Sequence, residues 1–400
     1  MSKKVLILSA STGGGHNRAA RAIKEEITKK IINGEILECD IVDSLKFVHN
    51  MMDKIISQGY EKSALYTPKA YGRAYRISES DIISKHEFKN NPVAGLMARK
   101  LAKLIESKKP DVIIGTHPFP MIALCSIKKD NSPLENKLAS TIKKNLKLSY
   151  EIDLPPLISV LTDYTTHSTW IQQEIDHYIV GDEFVKQLLI EEFVDENKVH
   201  TYGIPVEKSF LTNRDRQTVL SELNLDKDKF TILLMGGSFG AGNIKETLIE
   251  LLDIDRDFQI IVISGRNETL KEKIDRTILS YNHNKNVCSL GFTDKMNDIL
   301  ASVDILITKP GGLTTTEALL KGIPMIVPYC IPGQEEENLD FLLNCGAALK
   351  PTKKYTIPVL IKTLIDDQNR LNRLKENIEC MKKYNSAEKI ADLVLQELYK

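Results

Sequence analysis

Short, uniformly apolar runs alternate with longer amphipathic stretches along nearly the whole chain. The apolar runs have the length of strands, and their lack of polar alternation is typical of strands buried on both faces. We predict strands at 5–9, 35–42, 112–115, 157–161, 177–180, 198–202, 230–235, 259–264, 287–290, 305–308 and 325–327. Helical periodicity between them predicts helices that include 17–32, 92–108, 244–252, 295–301 and 315–320. This repetition predicts parallel sheets covered by helices on both sides.

The pattern restarts after Pro205, which predicts two doubly wound α/β domains that face each other across a central cleft. The first covers 1–205 and the second 206–375, and a C-terminal helix over 376–400 is expected to pack back on the first. A length of 400 residues agrees with two or three domains. Because ligands of such sheets bind beyond the carboxyl ends of the strands, the cleft is the expected place for chemistry.

Composition removes several classes of protein. The 54 basic and 54 acidic residues cancel, which argues against a general nucleic-acid binder. A hydrophobic fraction of 42% with 21 glycines and 15 prolines excludes disordered and collagen-like chains. The six cysteines are at least fifteen residues apart, so no CxxC pair exists for zinc or redox chemistry. No stretch approaches the ~20 apolar residues of a membrane span, so we expect a cytoplasmic protein.

The first predicted strand leads into Ser-Thr-Gly-Gly-Gly-His at 11–16 and then into a helix. Glycines there allow a sharp turn and let a ligand approach the peptide N–H groups. A dinucleotide GxGxxG motif fails because Arg18 replaces the third glycine, and no P-loop motif is present. The dipole of the helix disfavours protonation of His16, and a neutral imidazole suits a general base. The alternative is a purely structural turn.

The second half contains a stronger constellation. A glycine loop, Gly-Gly-Ser-Phe-Gly-Ala-Gly at 236–242, follows one strand, and Pro-Gly-Gly-Leu-Thr-Thr-Thr-Glu at 310–317 follows another. Free N–H groups and threonine hydroxyls at a helix start suit a diphosphate, and the Glu317 carboxylate can accept two ribose hydroxyls. The alternative for Thr314–Glu317 is a capping box.

A further polar segment, Pro-Gly-Gln-Glu-Glu-Glu-Asn, occupies 332–338. The amide of Gln334 and the carboxylate of Glu335 suit the hydroxyls of a sugar, whereas a solvated acidic run is the alternative, expected for Glu336 and Glu337. The aspartate pairs within 253–257 precede a strand, which is the wrong end for a ligand, so we predict no metal site.

These segments, with Leu-Thr-Asp-Tyr-Thr-Thr-His-Ser-Thr-Trp at 161–170 and Tyr-Gly-Ile-Pro at 202–205, resemble the monogalactosyldiacylglycerol synthase / processive diacylglycerol glucosyltransferase family. That family is related to the peptidoglycan-precursor N-acetylglucosaminyl transferase. The resemblance runs from residue 4 to about 347. It implies a GT-B fold and an inverting, metal-independent transfer of a hexose, with glucose favoured over galactose, from a UDP-sugar to diacylglycerol. No cofactor is implied, because the UDP-sugar is a substrate.

The resemblance also implies roles for individual residues. The first domain would bind the acceptor and the membrane, and the second would bind the UDP-sugar. The implied catalytic residues are His16 and Asp163. The implied acceptor-side residues are Gly14, Gly15 and His167. The implied donor-binding residues are Gly236, Ser238, Phe292 (uracil), Gly311 and Thr314 (diphosphate), Glu317 (ribose), and Gln334 and Glu335 (donor sugar).

The region 50–110 carries 12 basic and 6 acidic residues, an excess of +6 in a neutral chain, interleaved with aromatic side chains. Basic residues near an anionic leaflet contribute about 1 kcal/mol each, and tyrosines suit the headgroup interface. We therefore predict peripheral contact with the inner face of the cell membrane. The alternative is that several of these aromatics pack against the first sheet. A second polar stretch, 128–151, is predicted to be a surface insertion.

Three other functions share parts of this pattern. One is a related UDP-sugar transferase with another lipid-linked acceptor, since the variable region 50–110 would set acceptor specificity. Another is a UDP-N-acetylglucosamine 2-epimerase, which would turn over its UDP-sugar without an acceptor. The third is a UDP-sugar sensor that transfers nothing.

Overall fold

A computed structural model describes residues 2–11, 14–32, 35–36, 38–48, 72–73, 92–128, 152–237, 240 and 242–400 of the chain. Contacts among residues divide it into two compact units. The first unit comprises Met1–Glu207 and Asn385–Lys400, and the second comprises Lys208–Tyr384. Each contains a parallel six-stranded sheet with alternating helices, so the predicted fold class, a GT-B arrangement of two Rossmann-like domains, is confirmed.

The strands lie close to their predicted positions. They are β1 (Lys4–Ser9), β2 (Ile31–Ile32), β3 (Glu35–Ile36), β4 (Glu38–Asp43), β5 (Val112–Gly115), β6 (Leu157–Val160), β7 (His177–Ile179), β8 (Val199–His200), β9 (Thr231–Met235), β10 (Gln259–Ile263), β11 (Val287–Leu290), β12 (Ile305–Ile307), β13 (Met325–Ile326) and β14 (Ala348–Leu349).

The helices separate the strands of both sheets and close the chain. They are α1 (Gly15–Lys29), α2 (Ser44–Val48), α3 (Pro92–Lys108), α4 (Pro118–Cys125), α5 (Glu183–Glu191), α6 (Arg216–Glu222), α7 (Ile244–Leu252), α8 (Glu268–Ser280), α9 (Met296–Leu300), α10 (Gly312–Lys321), α11 (Gln334–Asn344), α12 (Ile357–Asp366), α13 (Gln368–Met381) and α14 (Ser386–Leu398).

The first sheet has the strand order β4-β1-β5-β6-β7-β8. The order reverses between β1 and β5, where Ile7 pairs with Ile114, so this is the topological switch point at which open α/β sheets bind ligands. Ile7 and Ile114 are fully buried, as expected of strands covered on both faces. On one face, the last helix, α14, packs Ile390 and Val394 into the core of this unit.

The second sheet has the order β11-β10-β9-β12-β13-β14, and its switch point lies between β9 and β12. Leu234 pairs with Ile307 there, so the loops that follow β9 and β12 leave the same edge of the sheet. The fully buried side chains of Ile232, Ile260 and Ile305 form part of the core beneath this edge.

Three predicted boundaries were wrong. The helix predicted over 17–32 begins at Gly15 and ends at Lys29, because the chain then turns into the short antiparallel pair β2 and β3. The strand predicted over 35–42 is correspondingly divided between β3 and β4. The helix predicted over 315–320 begins three residues earlier, at Gly312, and ends at Lys321, where the C-cap Gly322 has a φ of +72° that glycine adopts readily.

Two predicted surface features lie outside the described residues. These are most of the basic region 50–110, except 72–73 and 92–110, and all but the first residue of the insertion 128–151. Among the helices that the structure does describe, none is long and apolar enough to cross a bilayer.

Candidate active site

Three loops at the carboxyl edge of the first sheet converge on His16. This residue lies in the first turn of α1, directly after the loop that follows β1. Its Nδ1 lies 2.7 Å from the carbonyl oxygen of Thr116, which follows β5, and 2.9 Å from the hydroxyl oxygen of Thr162, which follows β6. Because β1, β5 and β6 are parallel neighbours, their loops meet at one edge.

The contacts of His16 define its protonation. A carbonyl oxygen can only accept, so Nδ1 carries the ring proton and Nε2 keeps its lone pair. The Thr116 hydroxyl donates back to the backbone carbonyl of His16 at 3.1 Å and ties the two loops together. Although His16 retains some solvent exposure, burial of its ring lowers its pKa to about 4, against the opposing effect of the Thr116 carbonyl. The lowered pKa agrees with the neutral imidazole predicted for His16, with burial rather than the helix dipole as its main cause.

The glycine loop before His16 is described from Gly14 onward. Gly14 is the N-cap of α1. Because glycine has no side chain, no capping side chain accepts a hydrogen bond from the first N–H groups of this helix. The loop is held to the next strand by Ser11, whose hydroxyl donates to Asp43 and accepts from the Asn17 amide at 3.1 Å. These contacts fix the position at which α1 begins, and therefore the position of His16 in its first turn.

Asp163 and His167 lie in the segment that follows β6. Asp163 is buried and directly follows Thr162, whose hydroxyl contacts His16. His167 is also buried, and its Nδ1 accepts the Thr169 backbone N–H at 3.2 Å, which caps the short 3-10 helix Ser168–Trp170. The structure therefore places Asp163 next to a residue of the His16 cluster and gives His167 a local capping contact.

Three residues of this edge were not predicted from the sequence. Thr116 and Thr162 hold the Nδ1 side of His16, and His117 packs edge-on against the His16 ring, with centroids 4.6 Å apart at 71°. The signal was present, because a Thr-His-Pro sequence directly follows the strand predicted at 112–115. Polar residues after a buried strand are expected at the ligand-binding edge.

The second sheet carries a glycine cradle at its own switch point. Gly236 directly follows β9, and Gly237, Gly240 and Gly242 have φ angles of +71°, +64° and +96°. A Cβ on Gly237 would lie 3.0 Å from the end of the Lys309 side chain, and the φ of +71° is one that glycine adopts most readily. Ser238, predicted to bind the donor, lies outside the described residues.

The start of α10 differs from the capping-box alternative. Its N-cap is Gly311, which has no side chain, so no side chain caps the first N–H groups of the helix. Thr314 lies in the first turn, and Glu317 is only 1% exposed one turn further on. The hydroxyl of Thr315 is buried without a hydrogen-bond partner among the described residues. An uncapped helix N-terminus after a glycine turn is suited to an anionic group.

The segment at the start of α11 is more ordered than an acidic run. Glu335 is buried, pairs with Lys309 and accepts the backbone N–H of Ile331 at 2.9 Å. Glu336, expected to be solvated, instead accepts the backbone N–H of Gly333 at 3.0 Å and forms the side-chain half of a capping box. Gln334 is the first residue of the helix and is half-buried.

Two more contacts complete this edge. Phe292 follows β11 and is 62% exposed, with the Arg266 guanidinium 4.8 Å above its ring. The fully buried Asn338 donates to the Pro310 carbonyl at 3.0 Å and ties α11 to the loop before α10. Lys309 and Asn338 were missed from the sequence. Lys309 gave a readable signal, since it is a basic residue directly before the glycine turn.

No group of three histidine, cysteine or acidic side chains in the described part of the chain could hold a metal ion. The aspartate pairs within 253–257 lie between α7 and β10, at the amino end of that strand, as predicted. There the Tyr281 hydroxyl donates to the Asp253 carboxylate at 2.7 Å.

Comparison with known proteins bears on the family and the fold of the chain. The family model of monogalactosyldiacylglycerol (MGDG) synthase matches residues 16–143 and 136–206, and that of the glycosyltransferase family 28 C-terminal domain matches 231–394. The crystal structure of MurG from Acinetobacter baumannii covers 99% of this chain and all of its own, with a TM-score of 0.60 at 15% identity. Anabaena HepE in complex with UDP-glucose covers 98% of this chain and 99% of its own, with a TM-score of 0.54 at 14% identity.

Two Rossmann-like units with these two family matches define the protein as a GT-B glycosyltransferase. Within that class, the processive diacylglycerol beta-glucosyltransferase of Bacillus pumilus is 28% identical over 396 residues, which cover 99% of this chain and 95% of the relative. The chain belongs to the monogalactosyldiacylglycerol synthase / processive diacylglycerol glucosyltransferase family.

Proposed function

We propose that this protein transfers a hexose, with glucose preferred, from a UDP-sugar to diacylglycerol, with inversion and without a metal. The observation that carries the proposal is the group of residues around His16, namely Thr116, Thr162 and His117. There a neutral imidazole has its proton fixed on Nδ1 by the Thr116 carbonyl and its Nε2 lone pair available. A related enzyme from Bacillus pumilus is named for this lipid and this sugar, and HepE, which shares the fold, is complexed with UDP-glucose.

His16 acts as the general base in this proposal. Its Nε2 takes the proton of the acceptor hydroxyl as the hydroxyl oxygen forms a bond to the anomeric carbon of the sugar. The bond from that carbon to the diphosphate oxygen breaks at the same time, and its electron pair leaves with UDP. Attack from the face opposite the leaving group inverts the anomeric configuration.

The second unit stabilises the leaving group. Negative charge that develops on UDP is placed at the start of α10, where Gly311 provides no side-chain cap and Thr314 lies in the first turn. Glu317 accepts the ribose hydroxyls, Phe292 meets the uracil through its backbone, and Gln334 orients the donor sugar. Fixed backbone dipoles of this kind stabilise charge without a metal ion.

The substrate lipid is reached from the membrane surface. The excess of +6 charges in region 50–110 would bind anionic lipids on the inner face of the cell membrane. Binding to anionic vesicles should therefore weaken as salt is raised. Salt-independent binding, or no binding to anionic vesicles, would contradict this part of the proposal.

UDP release by the purified protein tests the proposed reaction. The donors are UDP-glucose, UDP-galactose and UDP-N-acetylglucosamine, each with and without anionic vesicles that contain diacylglycerol, and with EDTA as a check for metals. We expect release that requires diacylglycerol, prefers UDP-glucose, persists in EDTA and yields a β-linked product by NMR. Turnover without any lipid indicates an epimerase-like enzyme, and UDP-sugar binding without turnover indicates a sensor.

A matched pair of histidine variants controls the assay. H16A should abolish release, whereas H283A should retain it, because His283 lies before β11 and, among the described residues, hydrogen-bonds to the nearby Ile278 carbonyl and Lys285 N–H. Equal activity of the two variants would remove His16 from the mechanism.

A further inference from the structure

The contacts of His117 define which of its ring nitrogens carries the proton, and the reaction described above gives this residue no role. It directly precedes α4 and is its N-cap, with Nδ1 accepting the Phe119 backbone N–H at 3.2 Å. An accepting Nδ1 carries no proton, so in the neutral ring the proton lies on Nε2. The residue is only 5% exposed, and burial together with the neighbouring His16 holds its pKa well below the usual value, which keeps the ring neutral.

His16 and His117 are therefore in opposite tautomers. His16 donates from Nδ1 to the Thr116 carbonyl and presents the lone pair of Nε2, whereas His117 presents an Nε2–H. The rings are in contact, with centroids 4.6 Å apart. Among the residues that the structure describes, no side chain or backbone group hydrogen-bonds to Nε2 of either ring. In the described part of the chain, Nε2 of His117 is not among the fully buried polar atoms that lack a partner, so it is open to solvent and can donate to a ligand oxygen.

We propose that His117 is a second residue that contacts the acceptor, and that it favours acceptors with an oxygen on the carbon next to the reacting hydroxyl group. This inference rests on the proposed function. While His16 takes the proton of the reacting hydroxyl, His117 donates Nε2–H to an oxygen on the adjacent carbon. In a diacylglycerol with a free hydroxymethyl group, the neighbouring carbon carries an ester oxygen, so the histidine pair matches the two oxygens. His117 keeps its proton throughout, and the bond changes at the sugar are those already given.

The alternative is that His117 only caps α4 and packs against His16. Two conservative variants separate the roles of its two nitrogens. In H117N, the side-chain oxygen can still cap α4, but no donor reaches the position of Nε2. In H117Q, the amide nitrogen reaches that position, whereas the cap is lost. If His117 has only a structural role, H117N should lose less activity than H117Q. If His117 contacts the substrate, H117Q should lose less activity than H117N.

The test compares two acceptors across the three proteins. One is diacylglycerol, and the other is the analogue in which a methylene replaces the ester oxygen next to the hydroxymethyl carbon. With diacylglycerol, we expect kcat/KM to fall about tenfold in H117N and to recover several-fold in H117Q. With the analogue, wild-type activity should already be about tenfold lower, and H117N should cause no further loss.

Two measurements keep folding apart from recognition. Calorimetric titration with UDP should give the same affinity for all three proteins, and the ¹⁵N shifts of His16 should report an unchanged Nδ1–H tautomer in H117N. Equal losses of H117N on both acceptors, or no loss on either, would overturn the contact while leaving the proposed function intact. UDP binding without turnover of either acceptor by the wild type would refute the proposed function itself and remove the acceptor that His117 would contact.

Discussion

The carboxyl edges of the two sheets share the same architecture but carry side chains suited to different chemistry. In the first unit, the loops after β1, β5 and β6 converge on two neutral histidines whose protons are placed by backbone contacts. In the second, the loops after β9 and β12 bring together glycines and the uncapped start of α10, and Lys309 pairs with the buried Glu335 of α11. The first edge is suited to moving a proton and the second to holding an anion.

The strand orders of the two units differ, yet both sites lie at the switch point. The first sheet reverses between β1 and β5 and the second between β9 and β12. Two adjacent loops diverge at that point, so the edge is open to a ligand. The comparison shows that the scaffold determines where a site forms, whereas loop residues determine its chemistry.

The largest expected effect separates proton transfer from donor binding. H16A should lower kcat by roughly a hundred- to ten-thousand-fold, because it removes the general base, while UDP affinity stays within about twofold. Single-turnover assays and calorimetry measure the two quantities, with H283A as the control. A parallel loss of UDP affinity would mean that the two edges are not chemically distinct.

The next effect concerns the stability of the second edge. K309M removes the partner of the buried Glu335 carboxylate and should destabilise the protein by about 3 kcal/mol in chemical denaturation. The double variant K309M/E335Q should recover part of that loss, since no unpaired charge remains. R276A, which breaks the exposed pair with Glu272, should cost less than about 0.5 kcal/mol. Similar losses for K309M and R276A would show that the Lys309–Glu335 pair behaves as a surface contact.

A smaller effect tests the ribose contact of Glu317. E317Q should weaken UDP binding about 30-fold, because a hydrogen bond to a charged acceptor is lost or reversed. It should weaken 2′-deoxy-UDP binding less, and the exposed E246Q on α7 should change neither. Calorimetry decides the outcome, and unchanged UDP affinity in E317Q would assign Glu317 to helix packing instead.

The smallest effect is the pH dependence of the base. Because the pKa of His16 is lowered to about 4, the ring stays neutral as pH falls from 7 to 5.5, and kcat/KM should change by less than about twofold. A histidine with the ordinary pKa would be about 90% protonated at pH 5.5, and kcat/KM would fall about tenfold. The pH profile of the wild type measures this difference, and a break near pH 6.5 would contradict the lowered pKa.

The same lowered pKa has a consequence for stability. The unfolded chain protonates His16 at a higher pH than the folded chain does, so this residue makes folding less favourable as pH falls from about 6.5 towards 4. Denaturation of H16A should show a weaker pH dependence over that interval.

Much of this protein was readable from its sequence. Strands such as 112–115 and helices such as 92–108 were predicted at their observed bounds, since burial on both faces leaves a uniformly apolar run and a helix repeats every 3.6 residues. His16, Gly311 and Glu317 were singled out because glycine turns between strands and helices are local in sequence. A structure formed by neighbouring residues of the chain can be recognised from a short stretch of sequence.

Only the tertiary structure decided which residues meet. Thr116 lies 100 positions from His16 and Thr162 lies 146, so no spacing rule connects them. The tautomer of His16 depends on a backbone carbonyl that approaches through the sheet register, and the Lys309–Glu335 pair depends on the alignment of two loops. Sequence records which side chains follow each strand, but contacts across a parallel sheet arise only when its strands are ordered and aligned.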